Sequence, residues 1–111
     1  MTIGNLVSSV KNSRIIAIDP ASHSLAWVIY DIKASKISIF ACGKINYKEY
    51  KGASAKFSVI DKELKKVYKE YKPQIGVIEQ SIYVQNFETS RIISYIIGYS
   101  WCVLNNFGCQ I

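Results

Sequence analysis

Two acidic residues stand out by position. Asp19 closes the run RIIAID and Glu79 closes the run IGVIE, sixty positions apart, so each carboxylate ends a nearly unbroken apolar segment. Such an acid is either the first polar residue of a turn or a group delivered to the edge of a sheet, where α/β proteins usually place their ligands. If the two runs are adjacent parallel strands, the carboxylates face each other. Two close anions are tolerable when they share a proton or hold a cation. Their oxygens suit a hard cation such as Mg2+. In a two-metal site, an acid cluster of this kind activates water on one side of a phosphodiester and stabilises the leaving oxygen on the other, generally with more than two carboxylates.

Fewer other residues bear on chemistry. His23 lies four positions beyond Asp19 and is read as a solvent-exposed turn residue, with proton transfer as the competing role. The segment 80–87 (QSIYVQNF) follows Glu79 directly and mixes aromatic and amide side chains in an expected loop. Asn86 either caps the helix that follows or contacts phosphate, and Arg91 is a second candidate phosphate contact.

The elements that must position these residues follow from hydrophobic periodicity. Residues 14–19 form a β-branched run ended by Pro20, expected to be a central strand covered on both faces. Residues 25–31 and 36–43 are two more apolar runs joined by a short polar segment, which predicts an antiparallel hairpin and a three-strand meander. Residues 44–55 are polar, contain Gly52 and read mainly as loop. From 56 to 71, apolar residues recur at helical spacing while Lys62, Lys65, Lys66 and Lys69 lie mostly elsewhere on the wheel. These lysines either touch a polyanion or form a solvated face. Pro73 stops that helix, 75–79 form a short strand, and the polar stretch 86–90 can start a second helix that 91–106 continue, ended near Gly108. The result is an α/β mixed sheet with acids at strand ends.

At 111 residues and 50% apolar or aromatic content, the chain is large enough for one domain with its own core. The reading assigns 1–13 to a flexible lead and 14–111 to the domain. Fourteen Lys and Arg against eight Asp and Glu give a net charge of +6, which suits a polyanionic partner. Three cysteines without a CxxC pair indicate neither a zinc site nor a disulfide framework, and a reducing intracellular compartment such as the cytoplasm is expected. No apolar stretch is long enough for a membrane span, and the first residues do not have the pattern of a secretory signal.

Two segments together resemble a known family. IIAIDPASHSLAWVIY at 15–30 is similar to the first motif of RuvC-type Holliday-junction resolvases, a strand ending in Asp-Pro followed by a second strand. IGVIEQSIYVQNFETSRIISYIIGY at 75–99 is similar to the second, with Asn86 and Gly98 at matching offsets. The resemblance covers roughly 14–111. It implies an RNase H-like nuclease fold, with Asp19 and Glu79 as catalytic, metal-holding carboxylates for Mg2+, Mn2+ substituting. It also implies branched DNA, above all four-way junctions, as substrate, and a homodimer acting on paired strands.

Further roles follow from the same resemblance. Ile82 matches a wedge position near the junction centre, with Tyr83 beside it, in a DNA-contacting loop that includes Gln85 and Asn86 and leads to Arg91. Core packing is the alternative role for Ile82, Tyr83 and Phe87. Tyr95, Gly98, Tyr99 and Trp101 correspond to a dimer surface, with ordinary core packing as the other account. Ala21 and Ala26 stand where the family usually has glycine. The family's fifth strand and acid-bearing C-terminal helix have no counterpart here, so the 111-residue chain alone is expected to bind metal weakly, to cleave little and to pair its exposed strand edge with another chain. A catalytically incomplete DNA-binding or structural module with the same fold is the rival reading.

Overall fold

The β-branched run around Ile15–Ile18 forms β1 (Ser13–Pro20), which pairs on one side antiparallel with β2 (Ser24–Lys33). The computed structural model describes residues 12–78 and 87–106. A two-residue turn, Ala34 and Ser35, both at positive φ, returns the chain into β3 (Lys36–Asn46). This left-handed pair matches the twist of the flanking strands, as in type I′ hairpins. Helix α1 (Ala53–Tyr71) then leads to β4 (Ile75–Ile78) and helix α2 (Phe87–Asn106). The sheet order is β3-β2-β1-β4, with β1 and β4 parallel and the other pairs antiparallel. The expected meander plus one parallel strand is therefore present, and β4 is an edge strand among the described residues.

Boundaries differ at several ends. β3 continues to Asn46, three residues past the expected end, because Ile45 alternates inward between Lys44 and Asn46. Helix α1 begins at Ala53 rather than 56. Its N-cap, Gly52, sits at φ 85, a conformation that glycine adopts without a side-chain penalty. At the other end Lys72 takes a left-handed conformation and donates its N–H to the Tyr68 carbonyl at 2.7 Å, ending the helix immediately before Pro73. Helix α2 begins at Phe87, within the 86–90 stretch expected to start it.

Both helices pack on one sheet face. Ile60, Leu64 and Val67 of α1, with Ile96, Val103 and Leu104 of α2, meet Ile16, Ile18, Leu25, Ile29 and Ile78 in one continuous core. Each buried aliphatic side chain contributes about 1.5–3 kcal/mol. The other face carries a smaller cluster, Ile15 and Ile32 with Tyr30, Ile75 and Val77 packed against them. Trp27 lies over Gly43 in the neighbouring strand, where an added methyl would sit 2.5 Å from Trp27 Cζ2.

Arg14 fixes the base of the sheet. Its Nε and Nη2 donate to the two oxygens of Asp31 at 2.7 and 3.1 Å, and Nη1 donates to the Tyr71 carbonyl at 2.9 Å. The guanidinium also lies 4.3 Å from the centroid of Phe40. Its backbone exchanges hydrogen bonds with Gln74, whose N–H donates to the Arg14 carbonyl and whose Oε1 accepts from the Arg14 N–H. One residue thereby ties β1 to β2, to the end of α1 and to the entry of β4.

Candidate active site at the paired strand ends

The register of β1 with β4, set at its base by Arg14 and Gln74, runs Ile15↔Ile75 through Ile18↔Ile78. The pairing thus ends one step before Asp19 in β1, which itself continues to Pro20, and one step before Glu79 in the sequence. Asp19 is exposed, and its carboxylate forms no ion pair or hydrogen bond with any described residue. It is accessible and uncommitted. Asp31, which also ends an apolar run, is by contrast buried, and the hydrogen bond from Arg14 holds its carboxyl below the usual range against the opposing effect of burial.

The turn that follows Asp19 is held by a residue that sequence reasoning placed in a loop. Tyr47 is fully buried, and its phenol donates toward the carbonyls of Ala21 and Ser24, the latter at 2.7 Å. Its own N–H donates to the His23 carbonyl at 3.0 Å, and the Ala21 N–H donates to the Ser24 carbonyl at 2.8 Å. Lys56, in the first turns of α1, donates to the Tyr47 carbonyl at 3.0 Å, with its ammonium 5.5 Å from the ring centroid. The Ala21–Ser24 turn is therefore fastened to the start of α1 through one side chain. The only sequence signal was an aromatic residue in a polar stretch.

Burial pushes the Tyr47 phenol far above its ordinary pKa, with the Ala21 hydrogen bond opposing. Tyr47→Phe leaves two carbonyls without this donor and is expected to destabilise the fold by about 2 kcal/mol. Because the folded pKa is raised, the tyrosine's contribution is complete below the unfolded value and declines as pH rises above about 10. Urea titrations of the two proteins should therefore converge in strongly alkaline buffer. A difference that stays constant with pH would remove the buried phenol as its source.

His23 is exposed, as expected of a turn residue. Glu79, Ile82, Tyr83, Gln85 and Asn86 lie outside the described residues, and Arg91 falls within α2. Lys65 pairs with Asp61 at 2.7 Å and Lys66 with Glu63 at 3.4 Å on the outer side of α1, which accounts for two of the helix lysines by local pairing. Tyr99 stacks on Phe57 with ring centroids 4.7 Å apart, the packing role, whereas Tyr95 and Trp101 are exposed. Cys42 and Cys102 are free thiols. Among the described residues no three His, Cys, Asp or Glu side chains gather into a metal cluster. No helix among them is long and apolar enough to cross a membrane.

The strand order, three antiparallel strands and one parallel, with its flanking helices matches an RNase H-like mixed-sheet fold. In sequence the chain is a partial-length relative of the RuvC-type resolvases. It is 32% identical over 84 residues to the crossover junction endodeoxyribonuclease RuvC of Rickettsia bellii, covering 76% of this chain and 54% of that protein. RuvC of Rickettsia massiliae is 30% identical over the same length. The chain spans about half the length of the curated relatives it matches. No family model matches it. Among solved structures, RuvC of T. thermophilus in complex with a Holliday junction substrate superposes with a TM-score of 0.74 at 12% identity, covering 87% of this chain and 60% of that one. The Aquifex aeolicus PPX-GPPA enzyme gives a TM-score of 0.51 at 21% identity, covering 88% of this chain and 34% of that one.

Proposed function

We propose that this chain provides the front part of a structure-selective endonuclease that resolves Holliday junctions or other branched DNA by metal-dependent phosphodiester hydrolysis. The observation that carries the reading is the exposed, uncommitted Asp19 carboxylate at the end of a strand whose parallel neighbour runs directly into Glu79. The kinship with RuvC over 84 residues supports it.

In this reading Asp19 and Glu79 hold Mg2+, with Mn2+ as a substitute. Oxygen donors of this kind fit a hard cation, and the absence of a competing cation beside Asp19 among the described residues leaves its charge available. When bound, the metal supplies Lewis-acid stabilisation of the phosphodiester and a nucleophilic water. The chain's own part is to orient. Tyr47 holds the turn after Asp19, Arg91 contacts backbone phosphate, and the segment with Ile82, Tyr83, Gln85 and Asn86 engages the junction. A homodimer presents two such sites to paired strands, with the exposed Tyr95 and Trp101 on α2 available for its interface. The net charge of +6 serves the DNA, and the cytoplasm is the proposed location.

The direct test is binding of the 111-residue chain to a four-way junction and to a linear duplex of equal length. Tighter junction binding that weakens steeply as salt rises is expected, because lysines and arginines displace counterions from phosphates. Equal affinity for the two DNAs would remove the resolvase reading.

A further inference from the structure

The cross-strand register carries a second residue to the site. Asp19 pairs with Ala26 across β1 and β2, and Ala26 pairs with Lys44 across β2 and β3. Residues directly opposite one another in adjacent strands project to the same face, so Asp19, Ala26 and Lys44 form one transverse row. Two interstrand spacings separate its ends, about 10 Å at the backbone. The middle residue is only a methyl, which leaves the row low at its centre and polar at both ends.

The surroundings make this row distinctive. The next pair toward the strand ends is Ser24 with Asn46, also polar, whereas the adjacent row in the other direction is Ala17, Val28 and Cys42. Polar groups on this face thus gather where β1 delivers Asp19. Lys44 is exposed and, like Asp19, forms no ion pair or hydrogen bond with a described residue. The lysines of α1 belong to an element packed on the opposite face, and Lys33 and Lys36 flank the turn at the far end of β3.

We infer that Lys44 is a substrate-contacting residue whose ammonium holds a backbone phosphate of the same DNA strand that Asp19 engages. This rests on the reading of Asp19 as a metal-holding carboxylate on a DNA-cleaving face. A flexible ammonium acts on phosphate as a point charge. Placed across a shallow row from the carboxylate, it attracts the polyanion to the site without neutralising the acid. It would fix the position of the strand relative to Asp19.

The test compares the chain with its Lys44→Gln, Lys44→Arg and Lys36→Gln variants, by fluorescence anisotropy on a labelled four-way junction in chelator across a salt series. Lys44→Gln is expected to weaken binding about fivefold near 0.1 M salt and to reduce the slope of log affinity against log salt by about 0.9, the loss of one phosphate contact. Lys44→Arg should restore both, and Lys36→Gln on the same strand should change neither. Since Lys44 is exposed, melting temperatures should agree, which separates lost contact from lost fold. If the parent chain binds the junction and Lys44→Gln keeps its slope, or Lys36→Gln lowers it equally, the assignment of Lys44 is overturned while the nuclease reading stands. If the parent chain binds no DNA, both fall.

Discussion

Replacing Asp19 by Asn is expected to lower metal-dependent junction cleavage by on the order of a thousandfold, because metal stabilisation of a phosphodiester transition state contributes several kcal/mol and each 1.36 kcal/mol is tenfold in rate. The substitution keeps the size of the side chain and removes its charge. Junction affinity should change little, since binding draws mainly on cationic contacts to phosphates elsewhere on the surface. Stability should also hold within about 0.5 kcal/mol, because the carboxylate is exposed and has no partner among the described residues. Glu79→Gln should act alike. The measurement is single-turnover cleavage of a four-way junction by the native gene product at saturating Mg2+, alongside binding in chelator. Full-rate cleavage by Asp19→Asn would assign this acid to the turn and end the metal reading.

A large effect on folding should come from the opposite end of the same strand. Arg14→Met removes both hydrogen bonds to Asp31, the bond to the Tyr71 carbonyl and the contact with Phe40, leaving a poorly solvated carboxylate behind. Breaking a fully buried pair costs about 3–5 kcal/mol, and exposed pairs contribute about 0–1 kcal/mol. With side-chain exposures of 29% for Arg14 and 10% for Asp31, a loss of about 2 kcal/mol is expected. The Asp31 pKa is lowered in the fold, so the pair's contribution is present above the unfolded value near 3.9 and is lost as pH falls through the folded one. Denaturation of wild type and Arg14→Met should therefore converge in acid, leaving a residue from the Tyr71 and Phe40 contacts. A gap that widens below pH 4 would show that the ion pair is not its source.

These two acids also show how far the sequence could be read. Asp19 and Asp31 both close apolar runs, RIIAID and LAWVIYD, and the runs themselves do not distinguish them. What separates them is Arg14, brought opposite Asp31 by antiparallel pairing, so the difference between a free carboxylate and a structural one is a tertiary fact. The strand order was legible because short turns and β-branched runs leave few ways to pair. Tyr47 was not, since its burial depends on the turn after Asp19 and the start of α1 closing over it. Lys44 was missed for a related reason. Polar residues on alternate positions at a strand's end look like a loop until Ile45 is seen to be buried between them.

The irregularity in β3 has a consequence for how this face can vary. Tyr30 pairs with Ile39 and Ile29 with Ala41, so Phe40 is an extra residue without a partner in β2. Before it, the residues opposite Ile32 and Tyr30 are odd-numbered, Ile37 and Ile39; after it, those opposite Val28 and Ala26 are even-numbered, Cys42 and Lys44. The bulge works as a frameshift within the strand, bringing two sequence phases into one spatial frame. Losing Phe40 would restore an unbroken ladder with every other residue still opposite its present partner, so the lysine would stay on its face; only a further single-residue loss would turn it toward the helices and bring its neighbours outward. The strand therefore has slack for the loss of one residue and no more, an evolutionary constraint on spacing rather than on residue type.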